Sequence, residues 1–209
     1  MLLAVWLVLA FVAGIAPYSR EDWLLENALV PIVLAALAAF RFSHPSVSLS
    51  RTACVALFVF LLLHEIGAHY TYSLVPYRQW AEAAGWSLPG PASRNHFDRA
   101  VHLAYGLLVA QSVAEILATR CGLRGAGLRA TTVAWMAFGS MLYELIEWGA
   151  ATVFGGDLGI TYLGTQGDPW DAQKDMALAL LGSLLWSCLR WVGADRRASM
   201  EKDRHGRGR

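Results

Sequence analysis

Long apolar stretches separated by short polar segments make up most of this chain. A membrane-crossing helix needs about 20 mostly apolar residues, with a range of about 17–25. Six stretches qualify, at roughly 1–17, 23–40, 52–70, 99–119, 131–154 and 174–193. The pattern predicts an all-α protein: a polytopic bundle of six transmembrane helices over 1–194. After it comes a charged tail, 195–209, that has no apolar period and is expected to be disordered. The first stretch resembles a secretory signal in apolarity. It lacks a basic start, however, and Pro17 follows its one Ala-x-Ala-like end, so it is read as a retained helix.

Composition agrees with the pattern. Of 209 residues, 56% are hydrophobic and 16% charged, against about 45–50% and about 25% in a soluble domain. The net charge of +1 provides no field to attract nucleic acid. Basic residues then orient the bundle. Twelve fall in the 2–3 loop, the 4–5 loop and the tail, and five on the opposite side. Both termini are therefore expected in the cytoplasm, with the 3–4 and 5–6 loops outside. Cys54, Cys121 and Cys188 then lie near the reducing side, so a structural disulfide is not expected, and they read as small buried hydrophobes.

The two outward loops, at about 70–94 and 155–173, are long for connections in a compact bundle. They carry Tyr70, Tyr72, Tyr77, Trp80, Trp86, Tyr162 and Trp170. Aromatic side chains collect at headgroup level, and they also suit structured loops capping the bundle.

Ionisable side chains inside spans are costly and face the bundle interior. Here they form four pairs at helical spacing: Glu65 and His69, Asp98 and His102, Glu144 and Glu147, Asp171 and Asp175. Residues three or four apart share a helix face. The first and third pairs come late in outward-running helices, and the second and fourth come early in inward-running ones. All four pairs therefore fall in the outer half of the bundle. Crowded carboxylates repel one another unless a proton or a cation lies among them. Oxygen and imidazole donors suit a divalent metal such as zinc, iron or manganese. The geometry is analogous to carboxylate di-metal bundles, whereas His64-Glu65-x-x-x-His69 does not have the zincin spacing.

Glu65 and Glu144 are the candidate catalytic carboxylates, with all eight paired residues as candidate ligands. His64, Arg94, His96, Arg99 and Asp168 surround them as supporting or substrate-contacting groups. A plainer account also fits each residue alone: helix–helix hydrogen bonds, N-caps at Asp98, Asp168 or Asp171, and ion pairs with Arg94, Arg99 or Lys174. Glu115 lies apart in the inner half and reads as a structural or Arg-paired residue.

Four blocks of sequence carry a family likeness: His64-Glu-Ile-Gly-Ala-His-Tyr-Thr-Tyr72, Arg94-Asn-His-Phe-Asp-Arg99 with His102, Tyr143-Glu-Leu-Ile-Glu-Trp148, and the run from Tyr162 to Met176. Together they resemble the YjdF-like bacterial inner-membrane proteins, a group without assigned function, and more loosely the VanZ-type membrane proteins. Phe97 stands where the group's run has Tyr. The resemblance implies a multi-pass protein of the bacterial inner membrane and no particular reaction.

The expected function is a metal-dependent hydrolase or transferase acting on a membrane lipid or other amphiphile. A membrane di-iron oxidoreductase, and a non-catalytic transporter or metal-binding protein, are the alternatives. The topology is testable by cysteine labelling in whole cells. Cysteines introduced into the 3–4 and 5–6 loops should react with an impermeant reagent, and one in the 4–5 loop should not.

Overall fold

The computed structural model describes residues 1–45, 47–88 and 94–206, with backbone alone at 157–158, 160–161 and 193–206. Every regular element among them is helical. The N-terminal elements are α1 (Leu2–Ala13), α2 (Arg20–Asn27), α3 (Leu29–Ser43) and α4 (Arg51–His69). Then come α5 (Tyr77–Ala83), α6 (Phe97–Ala104), a π-helical turn (Tyr105–Val109) and α7 (Ala110–Arg120). The chain ends with α8 (Gly125–Phe154), α9 (Gly156–Leu163) and α10 (Asp171–Gly206).

Among the described residues four helical stretches are long and apolar enough to cross a membrane: Arg20–Ser43, Arg51–His69, Phe97–Arg120 and Asp171–Val192. Leu2–Ala13 is apolar but shorter, about 18 Å long at 1.5 Å per residue. With 30 residues, α8 has ample length, but Glu144 and Glu147 dilute its apolar run. Helical backbone in α10 continues past 194, the boundary read from the sequence. The side chains of the basic tail lie outside the described residues.

Three helices depart from the expected spans. The second span is jointed at Ala28, between α2 and α3. Pro31 in the first turn of α3 has no N–H to offer the carbonyl of Asn27, so the ladder is broken there. The joint also extends the element back to Arg20, with Ser19 capping it by accepting from the Asp22 N–H at 3.2 Å. The fourth span carries the π-helical turn in its middle. The fifth begins at Gly125, well before 131.

The centre is formed by α6, the π turn and α7 against α8 and α10. Along α8 the buried residues are Thr132, Met136, Ser140 and Glu144, a stripe at four-residue spacing. Ala110, Ala114, Met136 and Trp186 form the apolar core. The closest approach is between backbones. A Cβ at Gly106 would lie 1.9 Å from the Ala179 carbonyl oxygen, and one at Gly182 would lie 2.2 Å from the Leu103 carbonyl oxygen. Small residues at such crossings let transmembrane helices touch along their main chains.

At the opposite end of α7 from the acidic pairs, Glu115 accepts from both the N–H and the hydroxyl of Ser50, at 2.7 and 2.6 Å. It also accepts from Gln111 at 2.6 Å. That satisfies the start of α4 and makes Glu115 structural, as expected. The cysteines differ from expectation: Cys54, Cys121 and Cys188 are all exposed and free. Cys54 and Cys188 lie on stretches long enough to span, where exposure means contact with lipid, and Cys121 follows the end of α7.

The helix contact yields a stability prediction. Gly106→Val or Gly182→Val forces α6 and α10 apart and should cost about 1–3 kcal/mol, the usual penalty for overpacking. Gly149→Ala, where a Cβ meets nothing within 4 Å, should leave the melting temperature in detergent nearly unchanged.

Candidate functional site

The helix contact sets the site. Asp98, His102 and Gly106 lie at four-residue intervals along one face of α6 and its π turn. Asp171, Asp175, Ala179 and Gly182 follow one another along a face of α10. Where the two glycines meet, the polar residues one and two turns away must face each other.

Ligand atoms of Asp98, His102 and Asp175 lie within 4.8 Å of one another. His102 Nε2 is 3.4 Å from Asp98 Oδ1 and 3.7 Å from Glu144 Oε1. Asp175 is 2% exposed, and its Oδ1 has no hydrogen-bond partner among the described residues. Glu144 Oε1 is likewise buried without a partner among the described residues, and Glu147 lies one turn further along α8, also in the cavity lining. Carboxyl groups crowded in this way are stabilised by a proton or another cation among them. A cavity of about 290 Å³ opens over this group, with Asp98, Glu144, Glu147, Asp171 and Asp175 in its lining and Met141, Leu145 and Trp148 along its side.

Asp171 is engaged otherwise. It accepts from Arg94, and from Arg99 at 3.2 Å. Arg99 also donates to Asp168 at 2.6 Å, and Lys174 donates to Asp168 at 2.5 Å. Arg94 donates as well to the Thr165 carbonyl. Gln166 and Asn95 exchange two hydrogen bonds, at 2.8 and 3.0 Å. Together these contacts clamp the segment between α9 and α10 onto the start of α6. The arginines expected to touch substrate are thus committed to Asp168, Asp171 and the chain itself.

Glu65 and His69 also have other partners. Glu65 Oε1 accepts from the Trp23 indole at 2.8 Å, and His69 Nδ1 donates to the Ala13 carbonyl at 2.9 Å. They tie α4 to the end of α1 and to α2, as do the Trp6 indole donating to Leu61 and the Tyr18 N–H donating to His69. His64 Nδ1 shares a 2.7 Å hydrogen bond with the Tyr72 hydroxyl. Thr71 and Tyr72 hold left-handed backbone, with φ of 52° and 53°, a conformation unusual for bulky residues. It folds the Tyr72 ring back over Gly67, where a Cβ would lie 2.4 Å from the ring. His96 is exposed at the start of α6, and its N–H donates to the Tyr77 hydroxyl at 3.2 Å. Partial desolvation and the nearby Arg99 and Arg94 hold its imidazole below the ordinary value.

A second acidic group lies outside the four pairs at helical spacing. Asp22 and Glu26 are buried in α2 at 2% and 7% exposure. Glu26 accepts from the Tyr143 hydroxyl at 3.3 Å and lies within electrostatic range of Asp98 and His102. Both oxygens of Asp22 lack a hydrogen-bond partner. Their i,i+4 spacing was the available signal, hidden because the span was taken to start only at the apolar run after Asp22.

A family model described as a predicted membrane protein, DUF2238, matches residues 1–196. The chain belongs to this family. It is 37% identical over 172 residues to the inner membrane protein YjdF of Escherichia coli (strain K12), a match covering 82% of this chain and 78% of that protein. No solved structure matches. As a DUF2238 protein the chain is an integral, multi-pass protein of the inner membrane, in keeping with its apolar helices.

The clamp gives a pH prediction. Hydrogen bonds from Lys174, from the Trp170 N–H and from Arg99 lower the Asp168 carboxyl from 3.8 to about 2. A depressed carboxylate stabilises the fold fully above its ordinary value, and that contribution is lost as pH falls through the folded value. Hydrogen-exchange protection of residues 165–170 should therefore hold near pH 5 and fade between about 4 and 2. Asp168→Asn should show the weaker protection at every pH.

Proposed function

We propose that this DUF2238 protein is a six-span inner-membrane protein with both termini in the cytoplasm, holding a divalent metal at Asp98, His102 and Asp175. The observation that carries the metal reading is the convergence of three ligand atoms within 4.8 Å, one of them a buried carboxylate oxygen without a partner. Zinc lies about 2.0–2.2 Å from its nitrogen and oxygen ligands, which spaces tetrahedral ligand atoms roughly 3.4 Å apart. The His102–Asp98 separation of 3.4 Å fits that edge. Three protein ligands leave a fourth position for water, the arrangement of catalytic rather than structural sites.

Glu144 is the base in this reading. It adjoins His102, borders the cavity and has a free oxygen. A metal held by Asp98, His102 and Asp175 would act as a Lewis acid, and Glu144 would take the proton from a water adding to the carbonyl or phosphoryl centre of a substrate in the cavity and return it to the leaving group. The substrate is a lipid or other amphiphile, because the cavity borders the apolar surface of α8. Glu65, bound to Trp23, serves as a helix anchor. Di-iron chemistry is less well supported, since Asp171 is committed to two arginines and Glu65 and His69 to the N-terminal helices.

Elemental analysis of the purified protein tests the metal. Zinc, manganese or iron near one ion per chain is expected. Asp175→Asn should lower that content by at least about tenfold, the size of effect that even outer-shell partners carry. A metal-free protein with intact folding would overturn the reading. Bound metal without hydrolysis of any amphiphile would leave a non-catalytic metal-binding or transport role.

A further inference from the structure

We infer that the cavity between α8 and α10 receives a net-cationic amphiphile, an alkyl chain bearing an ammonium group, whose charge sits against Glu147 and leaves Glu144 free to act as the base. The inference rests on the proposal above that this cavity is the substrate site, and it names the class of substrate.

The first argument is shape. Met141, Leu145 and Trp148 lie along one side of α8 at three- and four-residue spacing, and all three line the cavity. They are also 42%, 54% and 65% exposed, so they belong to the surface that α8 turns toward lipid. The cavity wall therefore runs into the lipid-facing surface without a polar rim on that side. A guest enters sideways from the bilayer with its apolar chain along these residues, and its headgroup reaches the acids one turn away.

The second argument is charge. Arg94 and Arg99 pair with Asp171 and Asp168, and neither lines the cavity. The proposed metal takes up Asp98, His102 and Asp175. Glu144 and Glu147 remain, one turn apart on α8 and both lining the cavity, with a buried unpartnered oxygen on Glu144. This is a seat for positive charge. An anionic headgroup would meet two carboxylates there, and the phosphate of a zwitterionic lipid would meet the same repulsion. Trp148 adds an aromatic face beside the seat, and indole is the best of the side chains at holding an ammonium ion.

The test uses the full-length protein in nonionic detergent with two bromine-labelled probes of equal chain length, a dodecylammonium and a dodecyl sulfate. Quenching of Trp148 is read as the difference between wild type and Trp148→Phe. The ammonium probe should quench at a concentration at least about tenfold lower than the sulfate, as expected where like charges are set against the wrong guest. Glu147→Gln should abolish that preference while metal content stays at the wild-type level. Its amide keeps the size of the side chain and removes its charge. Met141→Lys, which places a fixed ammonium at the cavity edge, is a second variant and should weaken binding of the ammonium probe alone. Equal quenching by both probes, or a preference that survives in both variants, overturns the inference. Ammonium preference in a protein without metal would overturn the metal proposal and leave this inference standing.

Discussion

Two glycines let α6 and α10 touch along their main chains, and the arrangement of the polar site follows from that contact. With Gly106 against Ala179 and Gly182 against Leu103, no side chain separates the helices. The neighbouring faces then carry Asp98 and His102 toward Asp175. The π-helical turn at Tyr105–Val109 sits at this crossing. π turns are often found where a helix is adjusted to a functional site, and this one comes immediately after the residues of the candidate site.

Lipid cannot solvate a charge, so each ionisable side chain in the bundle must find a partner inside it. The chain meets this demand in three ways. Arg94, Arg99 and Lys174 neutralise Asp171 and Asp168, and in doing so hold down the segment before α10. Aromatic hydroxyls and indoles serve Glu26, Glu65 and His64. The third group, Asp98, His102, Asp175, Glu144 and Glu147, has too few internal partners and borders open space. Buried atoms without a partner among the described residues remain in all three groups, among them Asp171 Oδ2, His64 Nε2 and Glu65 Oε2. The third group differs in gathering several carboxyl groups around one histidine beside an open cavity, and that contrast is the reason to look for chemistry there.

The same contrast explains why one kind of residue serves two ends. Glu65–His69 and Asp98–His102 are both acid–histidine pairs at i,i+4. The first pair faces the joint between α1 and α2, where a backbone carbonyl and an indole N–H are within reach. The second faces α8 and α10, whose nearest groups are acidic. Their fates are set by which helices pack beside them.

By itself the sequence determined that the protein is helical and membrane-embedded, and that its charges lie at helical spacing on faces turned from lipid. Those properties follow from local periodicity and from the cost of charge in hydrocarbon. The family blocks were legible too, and the family assignment agrees with them. Only the tertiary structure decided which pairs converge. Periodicity fixes the direction of a side chain about its own helix, but it cannot say which helix lies opposite. It therefore grouped Glu65 and His69 with residues they do not join, offered Arg94 and Arg99 to a substrate when Asp168 and Asp171 hold them, and missed Asp22 and Glu26. Glycine contacts and the Pro31 joint set the neighbours, and the neighbours separate an anchor from a candidate site.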